Sequence, residues 1–147
     1  MIRITALAHA LLVMPAAAHH DPSHKIFAIG VETKILFAVL VCDTEDAVKF
    51  IMTAHRERGI SMAIAVIAEL RATRSKMYEG EPLCGTAQGF MTVHEQLAAE
   101  TLPGDSHITY LVRISMHESP ERDYYALISV DEILPANRAD ELMTEPA

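Results

Sequence analysis

The clearest alternation of apolar and polar positions lies late in the chain. From His107 to His117, Ile108, Tyr110, Val112, Ile114 and Met116 fall on one side and Thr109, Arg113 and Ser115 on the other. Successive strand side chains point to opposite faces, so this period of two predicts a half-buried strand. Tyr124 to Val130 is the next apolar run, and the polar stretch Ser119-Pro120-Glu121-Arg122-Asp123 separates the two. That order predicts an antiparallel hairpin turning through residues 119–123. Gly85 to His94 is a further strand candidate, weakened by Gly89, and Pro103-Gly104-Asp105 reads as a turn.

Earlier in the chain the pattern changes. Thr33 to Val41 is rich in Ile, Leu, Phe and Val, and Ile35 to Val41 is continuously apolar. Such a run fits a buried strand or the start of a buried helix, and period alone does not separate them. Ala47, Val48, Ile51, Met52 and His55 then recur at three- and four-residue spacing, which predicts a helix over 45–58. Asp43 or Thr44 can cap its first N–H groups, Glu45 and Asp46 suit its positive end, and Gly59 can stop it. Ser61 can cap a second helix over 62–75, with Ala63, Val66, Ile67 and Leu70 as its apolar stripe. The expected fold class is α+β: two helices packed on a small antiparallel sheet in one domain spanning 33–134. A polar tail follows over 135–147, with a short helix from Arg138 to Met143.

The first residues follow a different logic. Arg3 precedes a short apolar run from Ile4 to Met14, broken by Thr5 and His9; then come Pro15 and Ala16-Ala17-Ala18. A basic start, a short apolar segment and small residues before the cut are the parts of a secretory signal. The run is too short to span a bilayer, which takes roughly 20 residues. We therefore expect residues 1–18 to be cleaved after Ala18, leaving a flexible histidine-containing leader over 19–32. The remaining chain is expected to be soluble, with no membrane attachment after cleavage, in the periplasm or secreted.

Export changes the reading of the cysteines. Cys42 and Cys84 are the two in the chain, and an even number in an exported protein predicts a disulfide. Closing a loop of about 40 residues is worth roughly 4 kcal/mol in the chain-entropy model. They lack the paired short spacing of a zinc site and the C-x-x-C of a redox enzyme. The net charge of −8 argues against nucleic-acid binding and against anionic lipid, both of which call for a basic face. It permits a basic protein partner, although solubility alone also accounts for it.

Candidate chemistry is sparse. Cleavage after Ala18 would expose His19 and His20, with His24 nearby, and clustered imidazoles beside a free amine suit Cu or Ni. Cleavage after Ala17 would place His20 third, a stronger copper arrangement. The same residues are equally a solvated leader. His107 and His117 stand at opposite ends of one strand and cannot share a metal. His55 sits on a helix face with Ile51 and Met52, as a partly buried histidine would. No H-E-x-x-H, G-x-S-x-G or phosphate loop is present, and Ser61 and Ser115 have no base partner visible in the sequence. We expect no catalytic residues and no enzymatic activity.

Val41-Cys42-Asp43-Thr44, the Ala-rich stretch from Met62 to Glu69, and Cys84-Gly85 together resemble a group of small exported proteobacterial proteins of unknown function. The resemblance covers residues 35–90 and departs from the group in the charged stretch from Leu70 to Glu81. It implies an exported, disulfide-containing protein and carries no activity with it. The leading expectation is thus a non-enzymatic exported protein that binds another macromolecule. Metal handling through the N-terminal histidines is the first alternative, and an acidic inhibitor of a basic hydrolase the second.

Overall fold

The computed structural model describes residues 27–129, 132 and 133. The expected signal, the histidines at 19, 20 and 24, and the tail over 135–147 lie outside the described residues. Six elements follow in the order β1 (Glu32–Cys42), α1 (Glu45–Arg58), α2 (Ile60–Ala72), β2 (Cys84–Glu100), β3 (Thr109–Met116) and β4 (Ser119–Ser129). All strand pairs are antiparallel, and the order β1-β2-β3-β4 closes on itself as β1 meets β4. The α+β class read from the sequence is the class observed.

Closure places one core inside the curled sheet and a second beneath the helices. Val39, Met91, Val93, Val112, Ile114, Ala126 and Ile128 fill the inside. Cys42, Val48, Ile51, Met52, Ala63, Cys84 and Leu111 make the layer between sheet and helices. β3 contributes to both: Tyr110, Val112 and Ile114 point inward, while Leu111 points under the helices and is fully buried. A strand apolar on both faces does not read as simple alternation, which is why Leu111 stood outside the predicted stripe.

The caps explain the helix bounds. Thr44 Oγ1 accepts a hydrogen bond from the Ala47 N–H at 3.2 Å, so of the two candidate caps Thr44 takes the role and Asp43 is released for another. Gly59, at φ +89, ends α1 and opens α2 directly, and its N–H donates to His55 O at 3.0 Å. The second helix therefore starts at Ile60, ahead of Ser61, and has no side-chain cap. It ends at Ala72 instead of Ser75. Its outward side leaves Ile60 and Ile64 exposed.

Three features of the sheet differ from the expected ones. β2 runs from Cys84 to Glu100, well past His94, and pairs with β1 at its start and β3 at its end. Gly89, at φ +95, sits where the β1–β2 register shifts, a bulge geometry that glycine accommodates. Last, β4 begins at Ser119, so the polar stretch taken as a turn is strand, and the turn is at His117-Glu118. The β1–β4 ladder covers only Leu40–Cys42 against Tyr125–Leu127. Among the described residues, 119–124 thus have no strand partner on that side, the position where Pro120 costs no ladder bond.

Cys42 and Cys84 are directly opposite in the β1–β2 ladder and are joined by a disulfide. The bond ties the approach to α1 to the first residue after the 73–83 loop.

Candidate functional site

That 73–83 loop is held closed by its own backbone. Leu83 N–H donates to Thr73 O at 2.8 Å and Ser75 N–H to Glu81 O at 2.8 Å. Buried Ser75 accepts from the Met77 and Tyr78 N–H groups through Oγ, at 3.2 and 3.1 Å. Asp43 N–H donates to Leu83 O at 3.0 Å, docking the loop on the end of β1. The result sets Tyr78 and Glu81 beside Asp43 and the unpaired start of β4.

Arg122 reaches into this corner from β4. Its Nη2 donates to Asp43 Oδ1 at 2.9 Å and its Nη1 to Glu81 Oε2 at 2.8 Å. Its Cζ lies 3.4 Å from the Tyr78 ring centroid and 4.6 Å from that of Tyr124. The Arg122 side chain is 15% exposed and that of Asp43 3%. Burial by itself would lower the Arg122 pKa, but the hydrogen bonds it donates to Glu81 and Asp43 outweigh it and hold the pKa above its ordinary value. The guanidinium stays charged, as a planar donor fork between two carboxylates and an aromatic face should. Asp43 Oδ2 and Arg122 Nε are buried without a hydrogen-bond partner among the described residues.

Beside this box a cleft of about 390 Å³ opens between β4, the start of α1 and the 73–83 loop. Asp43, Glu45, Glu121 and Asp123 supply four carboxylates to its lining. Tyr78, Tyr125 and Met77 supply apolar wall. Glu121, Asp123 and Tyr125 come from alternate positions of β4 and so share one face. Glu45 also pairs with Lys49, and Asp123 with Arg113 at 3.4 Å. A smaller hollow of about 110 Å³ is lined by Arg122 itself with Asp43, Glu81, Val41 and Tyr124 among others, so Asp43 borders both clefts. A third, of about 430 Å³, opens at the end of the curled sheet beside Val41, Ala87, Met116 and Tyr124.

No known protein family, curated protein or solved structure matches this chain.

The remaining candidates separate in space. His55 is buried on α1, and its Nε2 donates to Pro103 O at 3.0 Å. Together with the Arg56 fork on Glu100, at 2.7 Å for both bonds, it pins the end of α1 to the end of β2. His117 Nδ1 lies 2.5 Å from Glu32 Oε1 on the sheet surface. His107 lines a polar hollow of about 290 Å³ with Asp105 and Glu132. Among the described residues no three metal-capable side chains come together.

One sequence reading needs correction. Ser115 does have a base beside it: His94 Nε2 is 2.7 Å from Ser115 Oγ, across the β2–β3 ladder. A serine and an imidazole at that distance are the start of a nucleophile–base pair. Ser115 is only 4% exposed, however, and neither residue lines any of the clefts above. The contact gives the buried Ser115 hydroxyl a hydrogen-bond partner.

Arg122, Tyr78, Glu81 and Tyr124 were not singled out from the sequence. A cue existed: Arg122 and Tyr124 stand two apart, the same-face spacing of a strand. Reading 119–123 as a turn removed that spacing from view.

Proposed function

We propose that this protein is a non-enzymatic, exported binding domain that takes a basic protein partner at the carboxylate-lined cleft. The observation carrying the reading is the cleft itself: four carboxylates and two tyrosines on three elements, in a chain of net charge −8. Such a field attracts a cationic surface and speeds encounter with it. Glu45 and Asp46 in the first turn of α1 offset the helix's positive end, so the cleft favours cations over anions. Rim carboxylates give specificity and on-rate, while the tyrosines give contact area.

Export is part of the same proposal. The Cys42–Cys84 disulfide fits an oxidising, non-cytoplasmic compartment. Among the described residues no helix is long and apolar enough to cross a membrane. The periplasm, or the medium beyond it, is the location that the disulfide and the N-terminal signal pattern together support. An acidic inhibitor of a basic hydrolase is one form such a protein would take, and it predicts inhibition that fades as salt screens the charges.

The test is affinity capture from cell-envelope extract with the full chain as bait. The expected result is a stoichiometric basic protein retained at low salt and released at high salt. Recovery of no stoichiometric partner, or of one whose retention ignores salt, contradicts the proposal.

A further inference from the structure

We infer that the free edge of β2 over residues 85–88 takes an extended segment of a partner protein as an added strand. One apolar side chain of that segment sits in the hollow of about 430 Å³ beside the edge. This hollow shares no lining residue with the acidic cleft, so the two sites stand or fall separately.

The ladders define the edge. β2 pairs with β1 from Cys84 to Thr92, but with β3 only from Met91 onward. One further bond on the β3 side comes from the His117 N–H, which donates to Phe90 O at 3.0 Å. Among the described residues, 85–88 therefore have no strand partner on that side. Alternate residues of such an edge direct N–H and C=O groups outward, where another backbone can pair with them. Composition separates this edge from the free edge of β4. That one carries Pro120, Glu121, Arg122 and Asp123, residue types that discourage strand addition. Gly85-Thr86-Ala87-Gln88 carries neither charge nor proline.

The hollow is a separate observation. Val39 and Val41 belong to the core inside the sheet, and their partners across the ladder are Ala87 and Gly85. Directly opposite residues share a face, so the inner positions of this edge hold two of the smallest residues. The hollow opens beside them at the end of β3, with Val41, Ala87, Met116 and Tyr124 as its apolar lining. Glu118 is the one charged residue on it. Arg122 Cζ, 4.6 Å from the Tyr124 ring, holds that wall in place. The volume falls within the roughly 300–1,000 Å³ of small-ligand sites.

Together the two features name the occupant. Unpaired backbone groups call for a backbone, and the hollow calls for an uncharged apolar side chain carried on it. A second copy of this edge would bring only glycine and alanine to the inner positions and leave the hollow unfilled. A foreign strand with a leucine-sized residue there supplies both, with main-chain bonds giving affinity and the pocket giving specificity.

The experiment titrates the full chain with the capped neutral pentapeptide Ser-Thr-Leu-Thr-Ser at millimolar concentration, following backbone amide resonances by NMR. Two further peptides carry N-methyl groups, one on the leucine and one on both threonines, because edge pairing uses only alternate amides. Shifts confined to 84–90, 116–119 and 124 are expected, and one N-methylated peptide should bind about tenfold more weakly than the other. Replacing the peptide leucine with glycine should cost about tenfold. Ala87→Leu, which fills the hollow, should cost as much, and the glycine peptide keeps the test open if that variant fails to fold. No binding, shifts at 43–45 and 77–78, equal affinity of the two N-methylated peptides, or an unaffected glycine peptide would each overturn the inference. Shifts at 85–88 that grow with protein concentration in the absence of peptide would assign the edge to a second copy and overturn it likewise.

Discussion

Replacing Arg122 with Met separates a structural guanidinium box from a decorative surface ion pair. The substitution keeps most of the side-chain stem and removes the fork. Asp43, whose side chain is 3% exposed beside Arg122, then loses its one side-chain donor among the described residues. Breaking a buried pair from one side costs about 3–5 kcal/mol, because the other charge stays behind. The Glu81 contact adds little, since that carboxylate is 52% exposed and screened. Loss of the stacking on Tyr78 adds up to about 1 kcal/mol. Removing the unpartnered Arg122 Nε returns about 1 kcal/mol. The net expectation is a loss of about 3 kcal/mol for Arg122→Met at neutral pH. Urea unfolding followed by circular dichroism reads this as a midpoint lowered by roughly 1–3 M with an unchanged slope. Adding Asp43→Asn should recover part of the loss, with a coupling of about 2 kcal/mol between the two sites. Arg122→Lys should recover little, because a point charge cannot stack and bridge both carboxylates. A loss below 1 kcal/mol for Arg122→Met, or strictly additive double variants, would mean that the pair is a surface contact of no structural weight.

Three further outcomes follow from the fold. Replacing both Cys42 and Cys84 with Ala should lower stability by about 2–4 kcal/mol in the same urea assay, and should also weaken binding at the cleft, because Asp43 and Leu83 flank the two cysteines. Leu111→Ala should cost about 2–5 kcal/mol in thermal unfolding, since that side chain is fully buried beneath the helices; a cost under 1 kcal/mol would mean the layer collapses freely. Gly89→Ala should cost about 1 kcal/mol or more despite open space around the position, because its φ of +95 strains any L side chain.

Local signals were legible wherever one stretch of chain carried them. The 45–58 helix matches its predicted bounds because Thr44, Glu45, Asp46 and Gly59 mark both ends within the helix's own sequence. The pairing of the last two strands was legible from their apolar runs. The second half of β2 was not, because Gln96, Ala98, Ala99 and Glu100 show no period of two; their strand conformation comes from pairing with β3. Ser119–Asp123 read as a turn because polar residues with a proline do so, yet an unpaired strand edge tolerates the same composition. The Ser115–His94 contact needed the register of the β2–β3 ladder. The Arg122 box needed more still, since its groups come from positions 43, 78, 81, 122 and 124 and meet only after the loop closes. Asp43 itself was noticed, but as a cap, a role that Thr44 fills.

A basic partner docked at the acidic cleft would shield the backbone amides that line it. Backbone hydrogen–deuterium exchange of the full chain, with and without its captured basic partner, tests it most directly. Added protection at 43–45, 77–78 and 121–125 is expected. Protection confined to the opposite kind of surface, the apolar outer side of α2 around Ile60 and Ile64, would contradict it.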